Sequence, residues 1–177
     1  MDTKKILLSG FGGQGILFAG KFLAYKGMIF EKEVSWLPSY GPEMRGGTAS
    51  CSVIISDEKV GSPIISNPNI LIAMNLPSLD RFESSVEKGG IIIADSSLIE
   101  RKIMRDDVDA YYVPATKLAN ENGFPALANM IIVGKLLSVL GEDSQEDIEA
   151  VLKKVIPAKR ADMAEKNLKA IQIGINL

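Results

Sequence analysis

Six residues, Gly10-Phe11-Gly12-Gly13-Gln14-Gly15, constrain this chain more than any other stretch. They follow the short apolar run Ile6-Leu7-Leu8 and lead into an apolar stretch that starts at Ile16. That order spells a strand, a tight glycine turn and a helix start. Glycine takes positive φ without steric cost and leaves room for a ligand or a second chain to approach the backbone. The helix beyond the turn presents free N–H groups and a partial positive charge, a seat for an anion. The spacing also satisfies G-x-G-x-x-G, which suggests a dinucleotide site.

Taken in order, Lys4 to Ser9 reads as the first strand and Gln14 to about Tyr25 as a helix, with Gly27 as its stop. That helix has almost no polar face, so it is expected to be buried on more than one side. Val34-Ser35-Trp36-Leu37 reads as a short strand, and Pro38 to Gly47 as a loop with two prolines and three glycines. Thr48 to Ser56 is a β-branched, alternating strand expected in a second layer. A turn at Asp57 to Gly61 and a short extended piece, Ser62 to Ile65, follow. Ile70 to Met74 and Ile91 to Ala94 are compact apolar runs of the kind buried in parallel sheets. Between them Pro77 to Glu87 reads as a helix closed by Gly89-Gly90. Ala110 to Val113 is a weaker strand, and Thr116 to Asn122 a short helix. The last third is helical: Ala126 to Leu140 stopped by Gly141, Gln145 to Ile156 capped by Ser144 and broken by Pro157, then Ala161 to Ile173. The pattern is α/β: a Rossmann-like, mainly parallel sheet flanked by helices, with a helical C-terminal part, in one domain over residues 1–177.

Two absences shape the chemistry. The 177 residues contain no histidine, the commonest general base and transition-metal ligand. They contain one cysteine, Cys51, which cannot form an internal disulfide or a cysteine cage for zinc or an iron–sulfur cluster. With no activating base beside it in the strand-like run, Cys51 reads as a small packed residue. A net charge of −2 gives no basic face for nucleic acid. The longest apolar stretch, Ala126 to Leu140, carries Asn129, Lys135 and Ser138 and falls short of the ~20 residues a membrane span needs. No signal peptide stands out, so the cytoplasm is the expected location.

The glycine turn alone leaves several readings open. A dinucleotide fold expects a carboxylate at the end of the second strand, where this chain has Leu37-Pro38-Ser39, and Glu31 and Glu33 fall before that strand. A mononucleotide P-loop expects Gly-Lys-Ser/Thr after the turn, which is missing. A bare structural turn, a phosphate-bearing ligand and a docked partner all fit. In the second loop, Arg45 beside Gly46-Gly47 can offer its guanidinium fork to a phosphate or carboxylate, or pair locally with Glu43. Two glycine-rich loops, each after a strand, can face one crevice at the strands' carboxyl ends. Asp95, Ser96 and Ser97 end another strand and either join that crevice or cap the next helix.

Gly10 to Gly15 followed by Trp36-Leu37-Pro38-Ser39-Tyr40-Gly41-Pro42-Glu43-Met44-Arg45-Gly46-Gly47-Thr48-Ala49 resembles the gamma subunit of 2-oxoacid:ferredoxin oxidoreductases. The likeness extends through Ser62-Pro63, Ile72-Ala73-Met74-Asn75 and Gly89-Gly90, and so covers essentially the whole chain. It implies a non-catalytic part in CoA-dependent oxidative decarboxylation of a 2-oxoacid, giving acyl-CoA, CO2 and reduced ferredoxin. The 2-oxoglutarate type is favoured, with branched-chain 2-oxoacid, pyruvate and indolepyruvate enzymes as alternatives. Thiamine diphosphate and iron–sulfur clusters then sit on alpha, beta and ferredoxin-like delta subunits, this chain alone binds no cofactor, and CoA occupies a shared site. The implied contacts to CoA or to the catalytic subunit are Gly12, Gly13, Gln14, Tyr40, Glu43 and Arg45, framed by Gly10, Gly15, Gly46 and Gly47. A homodimer of the isolated chain is also allowed. A stand-alone dinucleotide-binding protein and a pure interaction module remain as readings from other classes.

Overall fold

The computed structural model describes residues 3–40 and 47–177. Its elements run β1 (Thr3–Phe11), α1 (Ile16–Ile29), β2 (Glu33–Tyr40), β3 (Thr48–Ser56), β4 (Ile70–Ala73), α2 (Leu76–Phe82), β5 (Ile91–Asp95), β6 (Asp109–Val113), α3 (Ala115–Glu121), α4 (Ala128–Leu140), α5 (Gln145–Val155) and α6 (Ala161–Ile175). The six strands form one sheet in the order β2-β3-β1-β4-β5-β6. β1, β4, β5 and β6 are parallel, whereas β3 pairs antiparallel with both β1 and β2.

Side-chain alternation along the strands builds two cores. Leu8, Ile72 and Ile93 lie in register on one face, with Ile6, Ile70 and Ile91 beside them, under α1, α3, α4, α5 and α6. Leu7, Leu71 and Ile92 point to the other face, against Leu79 of α2 and the Ile99 and Ile103 segment. A parallel strand covered on both sides calls for apolar side chains at successive positions. That is why β4 and residues 91–94 of β5 read as apolar runs, with only Asp95 polar at the end of β5.

The structure departs from the sequence expectations at several points. Thr48–Ser56 does not belong to a second layer. It lies inside the same sheet, between β1 and β2, where its backbone N–H and C=O groups satisfy those of both neighbours. The segment Ser62 to Ile65 forms no strand. β2 runs on through Pro38, which an edge strand tolerates because one row of its backbone groups faces away from the ladder. α1 does not stop at Gly27, since Ile29 still belongs to it and the reversal comes at Glu31 with φ 56°. Gly27 instead lets the helix approach the sheet: a Cβ there would sit 2.8 Å from Val34 and 3.0 Å from Ile55. Gly141 does end α4, in the left-handed conformation. Ser144 stands at the start of α5 without a side-chain cap hydrogen bond.

The C-terminal helices close the larger core. Gly134 of α4 and Gly174 of α6 bring the two backbones into contact, each facing a main-chain carbonyl of the other helix, at Ile171 and Ile131. No helix among the described residues is long and apolar enough to cross a membrane.

Candidate functional site: a glycine turn at the carboxyl edge of the sheet

β1 ends at Phe11, opposite Thr48 at the start of β3, and β2 ends at Tyr40, opposite Ala49. The β1–α1 turn and the β2–β3 connection therefore open at the same edge, where β4 and β5 also present their carboxyl ends. The two connections touch: the Gly12 N–H donates to the Gly47 carbonyl at 3.1 Å. Of the second loop, Gly41, Pro42, Glu43, Met44, Arg45 and Gly46 lie outside the described residues, and with them the expected contacts of Glu43, Arg45 and Gly46. Tyr40 is placed as the last residue of β2.

The turn itself is built for close approach. Gly13 has φ 97° and open space where a side chain would stand. Gly15 has φ 73° and begins α1 without a side-chain cap. Gly10 is crowded, and a Cβ there would lie 2.5 Å from the Gln14 amide oxygen and 2.8 Å from Met74. Both ends of the Gln14 side chain are committed inside the protein. Its oxygen accepts from the Phe11 N–H at 2.6 Å, and its amide donates to the Met74 carbonyl at 3.1 Å. Gln14 thus braces the turn against the end of β4.

A second brace comes from a residue that pattern reading missed. Asn129 of α4 donates its side-chain amide to the Gly15 carbonyl at 2.9 Å. Its only signal in the sequence is a polar residue in the first turn of a mostly apolar helix. Around the next strand ends, Asn75 caps α2 through the Ser78 N–H, and Ser78 in turn bonds Ser9 of β1. Asp95 is fully buried and accepts from the Thr116 N–H and hydroxyl and from the Ser97 N–H. It fixes β5 to α3 and does not open into the crevice. The edge is bordered by half-exposed apolar side chains, Phe11 at the end of β1 and Leu76 at the start of α2.

The geometry bears on each alternative for the turn. In a dinucleotide fold the strand after the first helix lies directly beside the first strand. Here β3 is inserted antiparallel between β1 and β2, so the end of β2 is one strand too far away to hold a ribose at this turn. Cys51 is fully buried under α1, and burial pushes its thiol up to about 12 against a weaker opposing contact from Trp36. Such a thiol is neither a nucleophile nor a metal ligand at neutral pH. The edge instead offers exposed glycine backbone with room for a group to lie against it, together with an apolar border. A phosphate, an amide-bearing chain or a partner's loop can use that combination.

Comparison with known proteins agrees with this arrangement. The family of pyruvate ferredoxin/flavodoxin oxidoreductases matches residues 5–177. The ketoisovalerate oxidoreductase subunit VorA of Methanothermobacter thermautotrophicus is 39% identical over 172 residues, covering 96% of this chain and 35% of that protein. The chain thus spans about a third of that relative's length. The 2-oxoglutarate synthase subunit KorC of Methanocaldococcus jannaschii is 35% identical, over 97% of this chain and 91% of its own length. Among solved structures, the gamma subunit of a keto/oxoacid ferredoxin oxidoreductase from Geobacter sulfurreducens superposes with a TM-score of 0.84 at 28% identity, covering 99% of this chain and 96% of that one. The 2-oxoglutarate:ferredoxin oxidoreductase of Magnetococcus marinus, with 2-oxoglutarate, coenzyme A and succinyl-CoA bound, gives a TM-score of 0.86 at 25% identity, covering 98% of this chain and 30% of that one. This chain belongs to the pyruvate ferredoxin/flavodoxin oxidoreductase family, and its likeness to the gamma subunits and KorC extends over nearly their full length.

Proposed function

We propose that this chain is the non-catalytic gamma subunit of a multi-subunit 2-oxoacid:ferredoxin oxidoreductase. The complex oxidatively decarboxylates a 2-oxoacid with CoA, and ferredoxin takes the electrons. The observation that carries the reading is the contact between Gly12 and Gly47, which joins two glycine-rich connections into one platform at the carboxyl edge of the sheet. On this reading Gly10, Gly12, Gly13, Gln14, Gly15 and Gly47 form its rigid floor. Tyr40, Glu43, Arg45 and Gly46 supply further contacts to CoA or to the neighbouring subunit. Thiamine diphosphate and the iron–sulfur clusters belong to alpha, beta and ferredoxin-like delta subunits. 2-Oxoglutarate is the favoured substrate, given the KorC likeness, and a branched-chain 2-oxoacid the alternative, given the VorA likeness.

The fit to CoA rests on two features. The backbone at Gly13 is open to a ligand, and the N-terminus of α1 lies directly behind it, favourable to phosphate charge. CoA supplies the thiol that accepts the acyl group, while this chain's residues bind and orient it.

The test is reconstitution. The complex is assembled with and without this chain, and CoA-dependent reduction of ferredoxin is followed with 2-oxoglutarate and with 3-methyl-2-oxobutanoate. Activity that requires the chain, with a CoA affinity lowered by Arg45→Ala by about 1.5–3 kcal/mol, supports the reading, because that is the range for a hydrogen bond to a charged group. Full activity of the other subunits alone would overturn it. Unchanged CoA affinity in the variant would reduce the loop to a protein contact.

A further inference from the structure

Behind the glycine turn, on the far side of Gly15, lies a cleft of about 310 Å³ that the proposed role above does not use. That volume is at the lower end for small-molecule sites. Three helices begin on its wall: α1 after Gly15, α4 after Leu127 and α6 after Arg160. They have 14, 13 and 15 residues, and none of the three starts has a side-chain cap. Each start adds a partial positive charge to the same space, and the full charge of exposed Arg160 stands beside them. Arg160 has no ion-pair partner among the described residues.

The wall also holds two polar side chains with unmet needs. Asn129 is 4% exposed and Asn167 is 1% exposed. Each spends its amide N–H inside the protein, Asn129 on the Gly15 carbonyl and Asn167 on the Met163 carbonyl. In each, the amide oxygen is buried without a hydrogen-bond partner. A buried unpartnered acceptor is destabilising, so two on one cleft wall call for an occupant. The terminal torsion of asparagine is broad, and a modest turn of either amide presents its oxygen to the space. Phe18 and Met163 make the remaining surface apolar.

We infer that this cleft binds a small organic anion that carries an N–H or O–H donor next to its charged group, on an apolar body. The three helix starts and Arg160 take the carboxylate or phosphate. The oxygens of Asn129 and Asn167 take the donor, and Phe18 and Met163 cover the body. Turning Asn129 toward the ligand draws its amide from Gly15, so occupancy acts directly on the turn that faces the crevice.

N-acetylleucine is a suitable probe, since it combines a carboxylate, one N–H and a branched apolar side chain. It is titrated into the full-length 15N-labelled chain, with N-acetylleucinamide lacking the charge and 4-methylpentanoate lacking the N–H. The expected result is saturable binding that shifts the side-chain amide signals of Asn129 and Asn167, and weakening of about tenfold or more for both analogues and for Arg160→Ala. Arg160 is exposed, so this variant keeps the fold, and Asn167→Leu gives the matching loss on the donor side. The inference is overturned if N-acetylleucine does not bind at 10 mM, as a cleft filled by water alone would behave. It is equally overturned if the uncharged amide binds as well as the acid, or if binding leaves the two asparagine signals unmoved. Because none of these readouts uses CoA or partner subunits, its failure is separable from failure of the oxidoreductase role.

Discussion

Asn129 donates its side-chain amide to the carbonyl of Gly15 at 2.9 Å, and the same amide fills the space where a side chain on Gly15 would stand. The turn is therefore held by a residue 114 positions away, and glycine is required at its last position for two reasons. One is the φ of 73°, the other the overlap with Asn129. Gly15→Ala is expected to lower unfolding free energy by about 2–4 kcal/mol, combining left-handed strain with a displaced buried amide. Gly13→Ala, with φ 97° but open space, carries the backbone strain alone and is expected to cost about 1–2 kcal/mol. Urea denaturation of both variants checks the ordering, and equal losses would show that Asn129 does not brace the turn.

The α4–α6 contact makes a stronger demand. A Cβ on Gly134 overlaps the Ile171 carbonyl, and one on Gly174 overlaps the Ile131 carbonyl. Neither obstacle is a side chain that can rotate away. Gly134→Ala and Gly174→Ala are each expected to cost about 3 kcal/mol or more, at the upper end for overpacking, because a helix has to move as a body. Thermal unfolding measures it, and a loss below about 1 kcal/mol in either variant would contradict backbone contact between these helices.

Much of this architecture is legible in the residue order, and the failures have physical causes. Ile70 to Met74 and Ile91 to Ala94 read as strands of the kind buried in a parallel sheet, and the glycine turn as the join between a strand and a helix. The neighbours of Thr48–Ser56 are another matter. Its alternating, β-branched pattern states that it is a strand, but pairing partners are chosen by backbone satisfaction across the whole sheet. Gly27 misleads because a helix-stopping glycine and a close-packing glycine look alike until the sheet is in place. The site shows the same division. The turn announces itself through three glycines at fixed spacing, whereas Asn129 sits among apolar neighbours and acquires a role only when α4 is laid against α1.

Cys51 allows a chemical check on the packing beneath α1. Burial lifts its thiol to about 12, so at pH 8 only about one molecule in ten thousand carries the reactive thiolate, before any steric protection is counted. The native chain is expected to react with a disulfide reagent at least 100-fold more slowly than the chain in denaturant, which should titrate one thiol. Rapid native labelling would mean that the core between α1 and β3 opens easily.

Glu142 links stability to acid. It follows the α4 stop and pairs with Lys4 at 2.5 Å and with the buried Lys26 at 3.1 Å. Burial opposes its charge, but the two ammonium groups prevail and hold its carboxyl below the ordinary value of 4.5. A carboxyl with a depressed folded pKa contributes its stability above the unfolded value, and loses it as the pH falls through the depressed one. Glu142→Gln is expected to cost about 1–3 kcal/mol at pH 7, less than a fully buried pair because the Glu142 side chain is 30% exposed. Below pH 4.5 the native protein loses the same contribution, so the gap between the two proteins should narrow toward pH 3. Urea midpoints at pH 7, 5, 4 and 3 decide the matter, and a gap that stays constant would place the effect in packing around Lys26 and not in the charge pair.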